Sequence, residues 1–110
     1  MKRITYYIGL HAPTGPNDAA TVTERRTIAL DFLAGAYDAL TVADVTGMWE
    51  GIEEPSLRVE VIIGETDYED AGFTRDEQAH EIARDLALGL DQDAVGLSIE
   101  PIEFHIITKD

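Results

Sequence analysis

The chain has 110 residues and no cysteine, and its 22 acidic residues against 8 basic ones give a formal net charge of −14. That length holds one domain around one core. Without cysteine, disulfides, thiolate catalysis, iron–sulfur ligation and Cys-based zinc sites are excluded. The negative field repels nucleic acid and anionic membranes, and favours basic protein surfaces, cations or plain solubility.

The first residues alternate: Ile4, Tyr6, Ile8 and Leu10 stand between Thr5, Tyr7 and Gly9, as in a half-buried strand. This start has no apolar signal core, and no stretch nears the roughly 20 residues needed to cross a bilayer, so a cytoplasmic protein is expected. Residues 11–20, with Pro13, Gly15, Pro16, Asn17 and Asp18, read as a loop. Thr21 and Glu24 stand at capping-box spacing, and Ala29, Phe32, Leu33, Ala36, Tyr37 and Leu40 recur at helical spacing, which predicts a helix over about 22–38.

A weaker strand pattern follows over 41–49, closing on Gly47, Met48 and Trp49. Residues 50–56 contain Gly51 and Pro55 and suit a hairpin connection. Leu57, Val59, Val61 and Ile63 then alternate with Arg58, Glu60 and Ile62, the clearest strand in the chain. The stretch 65–73 is an acidic loop holding Glu65, Asp67, Glu69 and Asp70. It lacks the EF-hand frame and reads as a solvated, mobile loop.

Thr74 and Glu77 form a second capping box, and Ala79, Ile82, Ala83, Leu86, Ala87 and Leu90 make one helical face that ends near Gly89 and Asp91. Val95, Leu97 and Ile99 alternate, Pro101 interrupts, and Phe104, Ile106 and Thr108 alternate again. Pro101 cannot donate to a ladder, so this last element belongs on a sheet edge.

The order β-α-β-β-α-β is that of a ferredoxin-like sandwich. The expected fold is therefore α+β: a four-stranded antiparallel sheet of order 4-1-3-2 with two helices on one face. The other face would carry Thr5, Tyr7, Arg58, Glu60 and Ile62, with His105 and Ile107 added by the last strand. That half-apolar surface, centred on Tyr7, Ile62, His105 and Ile107, suits self-association into a homo-oligomer.

Chemistry is sparse. His11, His80 and His105 have no second histidine or carboxylate at metal-ligand spacing, so no metal is assigned. The stretch from Gly9 to Pro16 lies where phosphates bind, but it lacks the Lys-Ser/Thr of a P-loop and its prolines remove donors. Ser56 and Ser98 lie in no nucleophile elbow. No catalytic residue and no cofactor follow from these patterns. Trp49, the only tryptophan, either caps the end of the core or anchors a partner, with Met48, Glu50, Glu53 and Glu54 beside it.

Three segments carry a likeness: Val-Ala-Asp-Val-Thr-Gly-Met-Trp-Glu-Gly at 42–51, Glu-Pro-Ser-Leu-Arg-Val-Glu-Val at 54–61, and Asp-Gln-Asp-Ala-Val at 91–95. Together they resemble small, stand-alone, uncharacterised ferredoxin-like proteins of phages, archaea and bacteria. The resemblance implies the same fold, brings no active site with it, and leaves a viral or a cellular source equally open.

Two functions remain in play. The first is a small acidic binding or regulatory module, oligomeric, meeting a basic protein surface through Trp49, the 50–56 turn and the 65–70 loop. The alternative is a small-ligand-binding protein or enzyme like the dimeric α+β barrels, with Tyr6, Tyr7, His11, Trp49 and His105 as its candidates.

Overall fold

The computed structural model describes residues 1–64 and 75–109, in the order β1 (Lys2–Gly9), α1 (Ala19–Ala36), β2 (Thr41–Trp49), β3 (Ile52–Ile63), α2 (Arg75–Gly89) and β4 (Gly96–Pro101). The sheet order is β2-β3-β1-β4, which is the expected 4-1-3-2 read from the other edge, and every pairing is antiparallel. The acidic loop at 65–73 and the Thr74 cap lie outside the described residues.

Alternation sorts the strands into two faces. Ile4, Tyr6, Ile8, Leu57 and Val59 are fully buried, and they share one cluster with Ala29 and Leu33 of α1 and Ala79, Ile82, Ala83 and Leu86 of α2. Both helices therefore cover the same face. Within this core the Tyr6 and Tyr37 hydroxyls meet at 2.7 Å, so neither is left without a partner. Burial raises the pKa of both phenols, which stay neutral.

The N-cap of α1 lies three residues before the expected one. Asp18 is the N-cap, accepting the Thr21 backbone N–H at 2.8 Å and the Thr21 hydroxyl at 3.0 Å. These two donors hold the Asp18 carboxyl below the usual carboxylate range. Both Asp18 and Thr21 have a sequence fit for capping, and the carboxylate takes the position.

β3 begins at Ile52, so Glu53, Glu54 and Pro55 lie in the strand and not in the turn. The turn is two residues, Glu50 and Gly51, with φ of 51° and 79°. Positive φ at both places is the type I′ geometry that matches the twist of a tight hairpin. β1 reaches only as far as Gly9 opposite Ser56, so β2 and β3 run on beyond it as a two-stranded ribbon.

Pro55 is tolerated inside the sheet for a specific reason. Its carbonyl accepts the Leu10 N–H at 2.9 Å, so its missing donor faces the Leu10 carbonyl. Arg25 of α1 donates to that carbonyl instead, at 2.9 Å.

β4 stops at Pro101 on the sheet edge, as its proline requires. The residues after it adopt no regular element, although Ile102 still donates to the Met1 carbonyl at 2.9 Å. The second alternating run thus lies off the sheet. No helix among the described residues is long and apolar enough to cross a membrane.

Candidate functional site

The open face is built from Arg3, Thr5, Tyr7 and Gly9 of β1, Ser56, Arg58, Glu60 and Ile62 of β3, and their neighbours on β2 and β4. It is not uniformly exposed. Thr5 is 2% exposed between Glu60 and Ser98, whereas Tyr7 is 49% exposed beside Arg58 and Gly96. Arg3 pairs with Glu100 across β1 and β4 at 2.8 Å, and Arg58 with Glu60 at 3.5 Å. Charge on this face is thus largely matched within the subunit.

The ribbon end differs. Gly9 lies opposite Ser56, and Gly47 opposite Glu54. A Cβ on Gly9 would run into the Glu54 carboxylate, and one on Gly47 would come within 2.7 Å of the Ser56 hydroxyl. Glycine inside a strand often marks such a close approach. Here it lets Glu54 lie across bare backbone, where its Oε2 accepts the His11 N–H at 3.2 Å. An open hollow of about 480 Å³ borders Asp44, Val45, Thr46, Glu53, Glu54 and Pro55.

Three acidic residues border this hollow, and they are not equivalent: by alternation Asp44 and Glu53 stand on the helix side of the ribbon and Glu54 on the open face. Asp44 is engaged by Arg26 of α1 through two hydrogen bonds, at 2.8 and 3.0 Å. Those bonds hold its carboxyl below the usual range. Glu53 is exposed, and Glu54 is half-buried. With Asp44 committed to Arg26, the Glu54 carboxylate on the open face is the group placed to accept a cation or hydrogen-bond donors.

The loop after β1 is fastened on all sides. Asn17 accepts from the Ala12 N–H at 2.8 Å and donates to the Ala12 carbonyl at 3.1 Å. Arg25 donates to Asn17 at 2.7 Å and to the Pro16 carbonyl at 3.1 Å, and Gln92 donates to the His11 carbonyl. With the His11 and Ala12 amides already committed to Glu54 and Asn17, the loop does not form a phosphate cradle.

The candidates named from sequence fall into separate places. Glu53 and Glu54 border the hollow, Met48 and Glu50 lie at the exposed ribbon end, and Trp49 closes β2 opposite Ile52. Tyr7 and Ile62 lie on the open face. His105 and Ile107, expected on the last strand, lie instead in the exposed stretch beyond β4, with His105 near Glu103 at 3.2 Å. They do not extend the sheet face, because none of the described strands pairs with that stretch.

For the enzyme alternative, Tyr6 is sealed in the core, and His11 and His105 follow opposite ends of the sheet. No three His, Asp or Glu side chains among the described residues are placed to hold a metal ion. Sequence reasoning missed the pairing of Gly9 with Glu54. Its one legible signal was a glycine in each of two strands flanking a run of acidic residues.

No family model and no curated protein matches this chain. Solved structures do. A phage SAM lyase in its apo state superimposes with a TM-score of 0.59 at 16% identity, over 90% of this chain and 78% of the lyase. A phage SAM lyase in complex with S-methyl-5'-thioadenosine gives 0.57 at 16% identity, over 90% and 79%. A de novo designed protein, Foldit4, gives 0.50 at 14% identity, over 93% and 98%. At these identities the likeness shows a shared fold, found in a phage enzyme and in a designed chain alike.

Proposed function

We propose that this chain is a small acidic binding module that works as an oligomer and takes a small cationic ligand on the open face of the sheet, at Glu54 beside the β2–β3 ribbon. The observation that carries this reading is the Glu54 carboxylate, laid over Gly9 and fastened by the His11 amide. Ordering a glutamate costs up to about 2 kcal/mol of side-chain entropy, and among the described residues no cation repays it through an ion pair with Glu54. A carboxylate held ready in this way is preorganised for a positively charged guest.

The chemistry of that guest is suggested by the shared fold. A phage SAM lyase with this fold is solved with S-methyl-5'-thioadenosine. S-adenosylmethionine is the related sulfonium cation, and the Glu54 carboxylate favours its charge over the neutral thioether. Titration calorimetry with both compounds tests the reading. Binding is expected for S-adenosylmethionine, with Glu54→Gln weakening it tenfold or more, which is about 1.4 kcal/mol. Gly9→Ala should weaken it similarly by pushing the carboxylate aside while keeping its charge. Absence of binding, or affinity unchanged in both variants, defeats the reading.

A second reading is favoured by the ribbon end itself. Met48 is 65% and Ile52 69% exposed there, beside Glu50 and Glu53. An apolar tip with an acidic rim suits a protein partner with a basic surface, anchored by these two side chains.

A further inference from the structure

The two edges of the sheet are built differently. β4 spans 6 residues and closes on Pro101. β2, at the other edge, runs 9 residues from Thr41 to Trp49 without proline or lysine, and no bulge breaks its register against β3. Short length, proline, lysine and bulges are the usual guards of an edge. β2 has none of them, and among the described strands only β3 pairs with it. Its outward polar groups follow from the hairpin. Trp49 and Ile52 flank the two-residue turn, so their backbone groups face each other, and those of Val42, Asp44, Thr46 and Met48 point away from β3.

We infer that this edge pairs with β2 of a second copy, antiparallel about a twofold axis at Val45, so that two four-stranded sheets become one. The edge is self-complementary in that register. Val42 meets Met48 of the partner subunit and Asp44 meets Thr46 of the partner subunit, so each outward backbone group finds a partner. A twofold at Asp44 would set two carboxylates face to face, which destabilises a strand pair. One at Thr46 would leave Val42 opposite the turn and unmatched.

The side chains suit the same arrangement. Val42 is 38% and Met48 65% exposed on the helix side of the strand, and across the axis each covers the other. On the open face Val45 meets its own copy, and Ala43 meets Gly47 of the partner subunit. Charge opposes association on a chain of net charge −14, and this edge avoids most of that cost. Asp44 is the one charge in β2, and Arg26 already pairs it. The acidic tips are sent apart by the antiparallel pairing. Glu50 lies five residues from the axis, so its two copies stand roughly 34 Å apart along the strands, well beyond a Debye length of about 8 Å.

This inference rests on the oligomeric part of the reading above and not on its ligand. The chain has no cysteine, so a single introduced thiol reports the register. Directly opposed residues of a non-hydrogen-bonded pair have Cα atoms about 4.5 Å apart, within disulfide range. Val45→Cys is therefore expected to cross-link into a covalent dimer under mild oxidation. Thr41→Cys, whose two copies would stand about 27 Å apart, is expected not to. Light scattering should give the full chain twice the monomer mass, and Thr46→Pro, which loses an outward N–H, the monomer mass. Circular dichroism checks folding, and Thr46→Asp, set against Asp44 of the partner subunit, replaces Thr46→Pro if that variant does not fold. A full chain of any other mass, a folded edge variant that keeps the dimer mass, or Val45→Cys cross-linking no faster than Thr41→Cys overturns the proposal. Calorimetry with S-adenosylmethionine on the same samples separates the two ideas. Binding by a monomeric full chain defeats only this contact, and a dimer that does not bind defeats only the ligand reading.

Discussion

The helix-covered part of the sheet and the ribbon beyond Ser56 use similar alternating strands, and their side chains meet opposite fates. In the covered part Ile4, Tyr6, Ile8, Leu57 and Val59 lose all contact with water. A few residues further along β2 and β3, Met48 and Ile52 are mostly exposed. The cause is where β1 and the helices stop. β1 ends at Gly9, and beyond it β3 has a neighbour only on the β2 side. Stability and contact chemistry are thereby divided between two ends of one hairpin.

The sharpest way to break that contrast is to empty the covered end. Leu57→Ala leaves a cavity in a fully buried site and should cost about 2–5 kcal/mol of unfolding free energy in a urea titration. The matching change at the ribbon, Ile52→Ala, removes an exposed side chain and should stay within about 0.5 kcal/mol. Equal losses at the two positions would mean that the ribbon end is covered in solution.

A smaller effect tests the polar pair inside the covered end. Tyr6→Phe strands the Tyr37 hydroxyl, at a cost of about 1–3 kcal/mol. Tyr6→Phe with Tyr37→Phe removes both partners and should cost less than the sum of the single changes. A double-mutant cycle in denaturant reads the coupling directly.

The smallest effect lies at the surface carboxylates. Asp18 and Asp44 have depressed pKa values in the fold, through the Thr21 donors and the Arg26 guanidinium respectively. A depressed carboxylate stabilises the fold above its unfolded pKa, and that contribution disappears as pH falls through the folded value. The melting temperature should therefore decline below about pH 4. Asp18→Asn, which keeps a capping side chain without its proton, should make that decline shallower. An identical decline in the variant would show that Asp18 does not take part.

Most of the architecture was legible because burial leaves a period in the sequence. The alternation at Ile4–Tyr6–Ile8 and Leu57–Val59–Val61 and the edge position implied by Pro101 all reappear in the structure. Glu53, Glu54 and Pro55 concealed the start of β3, since acidic residues and proline are turn-like when their neighbours are unknown. Phe104 and Ile106 announced a strand that none of the described strands pairs with. Local pattern reports a preference, and pairing decides whether it is realised. The approach of Glu54 to Gly9 was hidden for the same reason, because it depends on the register between residues 45 positions apart in sequence.

The guanidinium of Arg25 has a consequence for how this molecule can vary. It sits where a strand amide would ordinarily be, satisfying a carbonyl that a proline has left waiting. That bond works as an alignment pin: if α1 slid by one turn, the pin would leave its hole and the mouth of the first loop would loosen with it. Positions 25 and 55 should therefore drift together among natural variants. A chain that regains an amide at 55 is freed to lose its arginine at 25.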